Sequence, residues 1–359
     1  MLKGNKGEWS EIYTLFKIIA DRKLFAGDSE LNKITELFYP IIKILRDESD
    51  GTYEYTLDSD LVIIKNKNEE FRIPIVVFAD KARILLLRLM EAQQSSFSLL
   101  EIEEFLGSFN CKSLKSKSTS KSDIKIIIHD LHTGLTPELG FSIKSQLGSP
   151  STLLNSSKAT NFIYKVTGAN FPFDDIEKIN NINSRSKIKD RIKRINELGG
   201  EFIFHKTESL IFGNNLTLID SFLPQIISKM LHLYFTSDLS TINQLVENIS
   251  TANPLNYNFG NNHNYYSYKI KRFLTDIALG MMPAKVWNGH FDATGGYLIV
   301  RQDGEILCYH IYNRNEFENY LINNTRFETS SSTRHDYGKF FKLDGELYFC
   351  LNLQIRFIK

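Results

Sequence analysis

Two short β-strand patterns separated by one turn constrain the fold of this chain more than any other feature. The first is DIKIIIHD, which starts at Asp123, and the second is GFSIKSQ, which starts at Gly140. Gly134 and Pro137 interrupt the segment between them, as expected for a turn. The sequence therefore predicts two neighbouring strands. Lys144 lies in the middle of the second strand, where a charge is costly unless a partner stabilises it.

Helix and strand patterns on both sides of this pair predict a mixed α/β chain. The segment GEWSEIYTLFKIIADRK has the apolar spacing of an amphipathic helix. From about residue 161 to 284 the pattern is mostly helical. Near the C-terminus, GGYLIVRQDGEILCYHIY and KFFKLDGELYFCLNLQIRF each read as two strands joined at an Asp-Gly turn. The final part of the chain is therefore predicted to be β-rich.

Size and composition exclude several classes of protein. The chain has 359 residues, of which 42% are hydrophobic, enough to bury a large core. No apolar run reaches the roughly 18 residues that a membrane span needs, and the N-terminal MLKGNKGEWSE has no apolar segment typical of a secretion signal. Cys111, Cys308 and Cys350 are widely spaced and fit neither a disulfide framework nor a zinc pattern. We therefore expect a cytoplasmic protein without a membrane partner.

Charge is unevenly distributed although the net charge is only +1. Two stretches, NCKSLKSKSTSKSDIK and NSRSKIKDRIKR, are strongly basic. A local basic patch matters more than the total charge for a polyanionic partner. Each stretch is equally compatible with a solvated loop or helix face.

Asp123 and Lys144 are the candidates for chemistry. Neighbouring strands bring the start of the first strand close to Lys144, and the side chains of Ser142, Lys144 and Gln146 share one face. A carboxylate holds Mg²⁺ well, since this ion prefers oxygen ligands. A metal beside an amine suits phosphodiester hydrolysis, because the metal stabilises charge and the amine orients or activates a water molecule.

This arrangement resembles the PD-(D/E)XK nuclease signature. Ser122 replaces the usual proline and Ser142 replaces the usual acidic residue. The resemblance therefore implies that a second carboxylate comes from elsewhere, as related nucleases recruit one from an N-terminal helix. Glu8 and Glu11 are the candidates for this metal ligand, with Glu11 slightly favoured. Gln146 is assigned a supporting role on the Lys144 face.

The wider sequence is similar to type II restriction endonucleases of the HpaII family. The similarity rests on GEWSE, on SDI followed by GFSIKSQLGSPSTLLNSSKATNF, and on LNLQIRF near the end. It implies an Mg²⁺-dependent enzyme that cleaves duplex DNA at a short palindrome, CCGG in the namesake enzyme. Because a palindrome presents two equivalent strands, it also implies a homodimer on DNA.

The implied fold is a restriction-endonuclease-like core with two further regions. The core, a mixed sheet flanked by helices, is expected within residues 1–165. Residues 166–287 are expected to form a helical region that clamps DNA, and residues 288–359 a β-rich region that recognises it.

Polar segments near both strand regions supply candidate DNA contacts. Arginine reads guanine through two hydrogen bonds in the major groove, whereas hydroxyl, amide and lysine groups suit backbone phosphates. The candidates for base reading and its support are Arg326, Arg334, His335, Gln354, Arg356, Ser331, Ser332 and Thr333. The candidates for backbone contacts are Ser151, Asn155 and Lys158. Alternatively, Arg356 pairs with an acid such as Glu346, and Ser or Asn residues cap a helix near Leu153 or Ser157.

Other interpretations remain for the same residues. Asp123 and Lys144 are also compatible with a strand end and a lysine at a sheet edge, and Glu8 and Glu11 with favourable charge at a helix start. Two rival functions are a structure-selective repair or junction nuclease and a DNA-binding protein without catalysis. The missing acid at Ser142 keeps the second rival open.

Overall fold

The computed structural model describes residues 2–115, 122–131 and 133–358. Most of the Lys/Ser-rich part of the first basic stretch lies outside these residues. The α-helices are α1 (Lys6–Asp21), α2 (Ile75–Glu91), α3 (Leu100–Gly107), α4 (Phe173–Asn180), α5 (Lys187–Glu197), α6 (Leu210–Ile219), α7 (Leu223–Thr236), α8 (Ile242–Ala252), α9 (Tyr265–Leu279), α10 (Arg314–Asn323) and α11 (Ser332–His335).

The strands follow the same chain order, and short 3₁₀ helices span Lys158–Thr160 and Ile311–Asn313. The strands are β1 (Lys23–Gly27), β2 (Lys33–Glu48), β3 (Gly51–Asp58), β4 (Leu61–Lys65), β5 (Glu70–Pro74), β6 (Ile124–Ile128), β7 (Glu138–Ser145), β8 (Thr152–Leu154), β9 (Asn161–Thr167), β10 (Glu201–Thr207), β11 (Gly296–Val300), β12 (Ile306–His310), β13 (Thr325–Phe327), β14 (Phe340–Leu343), β15 (Glu346–Asn352) and β16 (Ile355–Phe357).

The main sheet closes into a barrel-like ring. β1 pairs with both β12 and β2, so β1, β12, β11, β7, β6 and β2 form a continuous circuit, and β3, β4 and β5 extend from β2. The β1–β12 and β11–β7 pairs are parallel, and the other pairs of the ring are antiparallel. The predicted mixed α/β architecture is therefore confirmed, although the ring closure was not expected. That its core is restriction-endonuclease-like stays a prediction.

Two further sheets are built from the rest of the chain. The second sheet has the order β10-β9-β15-β14, and the third sheet has the order β13-β16-β8. Buried apolar side chains of the described residues form one core under the ring, with α1 and α2, and another around α5 to α10 and the smaller sheets. β11 belongs to both cores, because Leu298 and Val300 face the first and Tyr297 and Ile299 face the second.

Helix α1 packs against the ring through its apolar face. Its buried residues include all the apolar residues that the helical spacing predicted, namely Trp9, Ile12, Tyr13, Phe16 and Ile19. Asn5 and Glu8 form a capping box at its start, which satisfies otherwise unpaired backbone N–H groups. Burial and capping together fix the first turns of α1 against β7.

In the folded chain, strands from one predicted region pair with strands from another. β11 and β12 fall in the predicted recognition region, yet they complete the ring, and β9 and β10 interrupt the segment predicted to be mostly helical. A helix start near Leu153 was wrong, because β8 occupies that position. Ser157 does cap, but it caps the short 3₁₀ helix by accepting a hydrogen bond from the Ala159 N–H at 3.2 Å. As functional units, 1–165, 166–287 and 288–359 remain predictions.

Candidate active site

The two strands that frame the candidate catalytic residues pair as a hairpin. In the β6–β7 register, Ile124 lies opposite Phe141. Asp123 precedes β6, and its N–H donates to the Phe141 carbonyl at 2.8 Å. Phe141 is fully buried, so the next side chain along β7, that of Ser142, takes the opposite face. The hairpin thus brings Asp123 to the face that carries Ser142 and Lys144.

Ser142 connects Asp123 to Lys144. Its hydroxyl donates to Asp123 Oδ2 at 3.0 Å and accepts a hydrogen bond from Lys144 Nζ at 2.8 Å. The same carboxylate oxygen accepts the Ile143 N–H at 2.7 Å. Because one hydroxyl contacts both groups, the carboxylate and the amine share one surface and lie close together. Ser142 is buried, so this link is shielded from competing water.

The Lys144 amine is in an environment that disfavours its charge. Burial lowers its pKa, and the nearby Asp123 and Glu11 carboxylates only partly offset this effect. The amine also lies over the Tyr297 ring, 5.1 Å from its centroid. Tyr297 is positioned by β11, where it lies opposite Ser142 in the parallel pair. A lysine with a lowered pKa is better suited to exchange a proton with water.

Glu11 supplies the second carboxylate of the site. Burial, together with repulsion from Asp123, raises its pKa to about 8 against weaker attraction from Arg46, Lys115 and Lys144. The nearby positive charges therefore do not fully offset the burial of Glu11 and its repulsion from Asp123. A cation bound beside Glu11 would add to that compensation.

Glu8 is occupied by structural contacts. It accepts the Asn5 N–H at 2.8 Å in the capping box and pairs with Lys115 at 3.0 Å. Burial opposes the ionisation of Glu8, but the hydrogen bonds from Asn5 and Lys115 outweigh it and lower its pKa. Glu8 therefore behaves as a stable, already paired anion, which favours Glu11 as the metal ligand.

Asp123, Glu11 and Lys144 line one open cavity of about 730 Å³. Its wall continues through the first turn of α1, the loop after β7 and residues 92–95. Gln146 lies elsewhere, because it lines a smaller neighbouring pocket with Lys144 and Ser151. Its backbone N–H donates to the Val300 carbonyl at 2.9 Å. A direct role for Gln146 beside Asp123 is therefore not supported by its position.

The donor set of this cavity fits a hard divalent cation. Within the described residues no group of three His, Cys, Asp or Glu side chains comes together, which disfavours a zinc-type site. Mg²⁺ typically uses one or two carboxylates and completes its shell with water and substrate phosphates. Asp123 and Glu11 meet that requirement.

Arg326 and Arg356 lie side by side on the third sheet. They are directly opposite each other in the antiparallel β13–β16 pair. Both pair with Glu328, Arg326 at 3.7 Å and Arg356 at 2.8 Å. The alternative that Arg356 pairs with an acid is confirmed, but the acid is Glu328, whereas Glu346 pairs with Lys165 at 3.0 Å. We call Arg326, Glu328 and Arg356 the reading cluster.

The other predicted reading residues lie on the chain segment that follows Glu328. Arg334 is exposed on the short helix α11, and His335 contacts the Ser156 hydroxyl at 3.1 Å. Ser331, Ser332 and Thr333 line a groove of about 300 Å³, whose other wall includes residues 185–189 of the second basic stretch. Gln354 contacts Glu328 through its backbone, because its main-chain carbonyl accepts a hydrogen bond from the Glu328 N–H at 3.2 Å.

The three predicted backbone contacts have different surroundings. Ser151 lines the same cavity as Asp123 and Lys144, directly before β8 begins. Asn155 is exposed just after β8. Lys158 pairs with Asp336 at 3.2 Å, in a largely exposed ion pair. Such a pair is weak in water, so Lys158 can exchange Asp336 for a phosphate.

Comparison with known proteins identifies the family. The model of the HpaII restriction endonuclease family matches residues 5–357. The type II restriction enzyme HpaII of Haemophilus parainfluenzae is 51% identical over 358 residues, which cover 99% of this chain and 98% of that protein. The chain belongs to the HpaII restriction endonuclease family. This family member is accordingly a restriction endonuclease, an enzyme that cleaves DNA at specific sites.

Comparison with solved structures adds no fold relative for this restriction endonuclease, since none matches. In the described part of the chain, none of the helices has the length and apolar character needed to cross a membrane.

Sequence reasoning missed three residues of the endonuclease site. Tyr297 lies under the Lys144 amine, Lys115 neutralises Glu8, and Glu328 joins the two arginines. Only Lys115 carried a sequence signal, because it belongs to the first basic stretch. Tyr297 and Glu328 meet their partners through strand pairing between distant segments, which no local pattern reveals.

Proposed function

We propose that this restriction endonuclease is Mg²⁺-dependent and cleaves both strands of duplex DNA at a short palindrome, with CCGG as the expected site. The observation that carries the proposal is the convergence of Asp123, Glu11 and Lys144 on one cavity. The resemblance to the HpaII family supplies the expected site.

Asp123 and Glu11 would hold the metal ion. Asp123 is oriented by two hydrogen bonds to one of its oxygens, so its other oxygen is left for the ion. Glu11 lines the same cavity as Asp123, and its raised pKa reflects burial and the neighbouring carboxylate. When bound, Mg²⁺ stabilises the negative charge that develops on the phosphoryl oxygens and the leaving oxygen.

Lys144 would position the attacking water and assist its deprotonation. Ser142 Oγ accepts one of its hydrogen bonds, which aims the rest of the amine into the cavity. Its pKa is lowered mainly by burial, so its neutral form is more accessible than that of a surface lysine. A base of this kind typically contributes about 10²–10⁴-fold to the rate. Ser142 is a positioning residue, since it acts through Asp123 and Lys144.

The recognition surface would lie beside the cavity. Ser151 lines the cavity, and β8, which starts at the next residue, pairs with the Arg356 strand. We assign base reading to Arg326 and Arg356, and backbone contacts to the hydroxyl-lined groove with Arg334 and to Lys158. Cleavage of both strands of a palindrome usually uses two active sites, so we propose a homodimer on DNA.

Plasmid cleavage tests this proposal. Purified protein is incubated with plasmid DNA at a series of Mg²⁺ concentrations, and the fragment ends are sequenced. We expect discrete fragments with one shared end sequence, and no cutting after the divalent ion is chelated. Asp123→Asn should still bind the site but not cut it. Metal-independent cutting, or unimpaired cutting by Asp123→Asn, would overturn the assigned metal site.

A further inference from the structure

The reading cluster contains a carboxylate where a DNA surface usually collects only positive charge. Arg326 and Arg356 face the exposed side of the third sheet, while Phe327, Ile355 and Phe357 face its core. Glu328 follows β13 directly and reaches both arginines. Its backbone is tied to the neighbouring Gln354 carbonyl. Its carboxylate is therefore held next to the two guanidinium groups by the fold.

The contacts inside the cluster leave hydrogen-bonding capacity unused. Arg356 Nε is 2.8 Å from Glu328 Oε2, yet the N–H is not aligned with that oxygen. Arg326 Nε, Arg356 Nε and Glu328 Oε2 are among the buried side-chain atoms of the described residues that have no aligned hydrogen bond. The two arginine side chains as a whole stay partly exposed. The cluster therefore keeps hydrogen-bonding capacity for another molecule.

Glu328 changes which partner this surface prefers. Two adjacent arginines would attract backbone phosphate at any DNA sequence. The Glu328 carboxylate cancels one of the two positive charges and repels a phosphate. The edge of a guanine is neutral and offers two acceptors to a guanidinium, so it is not repelled. Specificity achieved by penalising the wrong partner is a general device.

We propose that Glu328 is a specificity-determining residue, which holds Arg326 and Arg356 in position to read guanine and excludes backbone phosphate from the same surface. This inference rests on the proposed function, since it requires the reading cluster to face the bases of the target site. It assigns Glu328 a role in discrimination and none in bond cleavage.

Glu328→Gln tests the role, because it removes the charge and keeps the size of the side chain. The first measurement is the ratio of cleavage rates on two duplexes, one with the mapped site and one with a single G·C pair replaced. We expect this ratio to fall about tenfold or more. The second is binding to a duplex that lacks the site, titrated with salt. We expect tighter binding and a salt slope steeper by about one ion.

Glu346→Gln is the matched control. Glu346 is also a carboxylate in a C-terminal strand paired with one cation, Lys165, but it is outside the reading cluster. We expect it to leave both measurements unchanged. A Glu328→Gln protein with the wild-type ratio and wild-type non-specific binding would overturn the inference.

A third measurement needs no variant at Glu328. Replacing the guanines of the site by 7-deazaguanine removes the N7 acceptor without altering base pairing. We expect cleavage by the wild type to slow about tenfold or more, and the double variant Arg326→Ala, Arg356→Ala to cut both duplexes at one equally reduced rate. An unchanged wild-type rate overturns guanine reading. If Arg326→Ala and Arg356→Ala both cut the site normally, the proposed reading surface itself is wrong, whatever Glu328 does.

Discussion

The cavity lined by Asp123, Glu11 and Lys144 and the reading cluster have the same design with opposite charge. The cavity brings two carboxylates, Asp123 and Glu11, to one amine. The reading cluster brings two guanidinium groups to one carboxylate, that of Glu328. Within each of these groups of three, one sign is in excess, although the cavity wall also includes Lys6, Glu8 and Lys115. The cavity is suited to a cation, and the cluster is suited to electronegative base edges.

The two sites differ in how the single group of opposite charge is held, which is Lys144 in the cavity and Glu328 in the reading cluster. The Lys144 amine donates a hydrogen bond to Ser142, and its burial lowers its pKa, which favours proton exchange. Glu328 is partly exposed and meets its arginines without aligned hydrogen bonds. A tightly bound group suits chemistry at a fixed position, whereas an incompletely bonded cluster suits an exchangeable partner. Substitutions in the cavity should accordingly reduce the cleavage rate, whereas substitutions in the reading cluster should weaken recognition of the site.

The largest effect is expected from Lys144→Ala. Loss of the amine should slow cleavage by about 10³-fold, while DNA binding stays within a few-fold of the wild type. The measurements are single-turnover cleavage and a binding titration without divalent ion. Lys165→Ala, which removes a partly exposed lysine paired with Glu346, is the control and should cut normally. A cleavage rate for Lys144→Ala within tenfold of the wild type would contradict the assigned role.

Arg356→Lys should instead weaken recognition. Lysine cannot offer two parallel hydrogen bonds, so binding to the site should lose about 1–3 kcal/mol, and cleavage at saturating DNA should change little. Arg194→Lys, at an exposed helical pair with Glu197, is the control. A variant that binds the site normally but cuts it slowly would erase the distinction between the two sites.

Glu11→Gln and Glu8→Gln should change stability in opposite directions. The folded pKa of Glu11 is about 8, above its ordinary 4.5. Between these pH values the folded state binds more protons than the unfolded state, so this group lowers the free energy of unfolding as pH rises. In metal-free protein, Glu11→Gln should therefore gain on the order of 1–3 kcal/mol over the wild type at pH 9 and little below pH 4.5.

Glu8 has a lowered pKa, so its stabilising contribution is present above pH 4.5 and is lost as pH falls below it. Glu8→Gln should consequently be less stable than the wild type at neutral pH. Urea unfolding at pH 5, 7 and 9 measures both variants. If Glu11→Gln and Glu8→Gln changed the free energy of unfolding in the same direction, Glu11 would not be the carboxylate whose charge is poorly compensated in the cavity.

The smallest effect is expected at Ser142. Ser142→Ala removes the link between Asp123 and Lys144, but the Ile143 N–H still orients the carboxylate. We expect cleavage to slow about tenfold, as is typical for loss of a group that orients a ligand, with a shifted pH–rate profile. Ser142→Thr keeps the hydroxyl and should restore most of the rate. An unshifted profile in Ser142→Ala would reduce Ser142 to a packing role.

Local sequence patterns were sufficient to predict the catalytic hairpin. β6 and β7 are close in sequence, so the period-two alternation and the Gly134 and Pro137 breakers specify both strands and the face that carries Lys144. Helix α1 was predicted equally well from its apolar spacing, which acts within a few turns, whereas its capping box became evident only in the structure. The roles of Asp123, Lys144 and Glu11 remain predictions that these positions support.

Local sequence patterns did not predict which distant strands pair with each other. β11 and β12 look like any hairpin in sequence, yet they insert between β7 and β1 and close the ring. Glu328 reaches Arg356 only because β13 pairs with β16. The backbone contacts assigned to Ser331, Ser332 and Thr333 likewise depend on a groove formed with residues 185–189.

By itself, the sequence determined the elements that depend on neighbouring residues, namely the capped helix α1, the hairpins and the alternation along β7. Only the tertiary structure decided which carboxylate meets Asp123 and which acid meets the two arginines. The physical reason is that periodicity and turn chemistry act over a few residues, whereas burial and charge at a site depend on segments that strand pairing brings together from far along the chain.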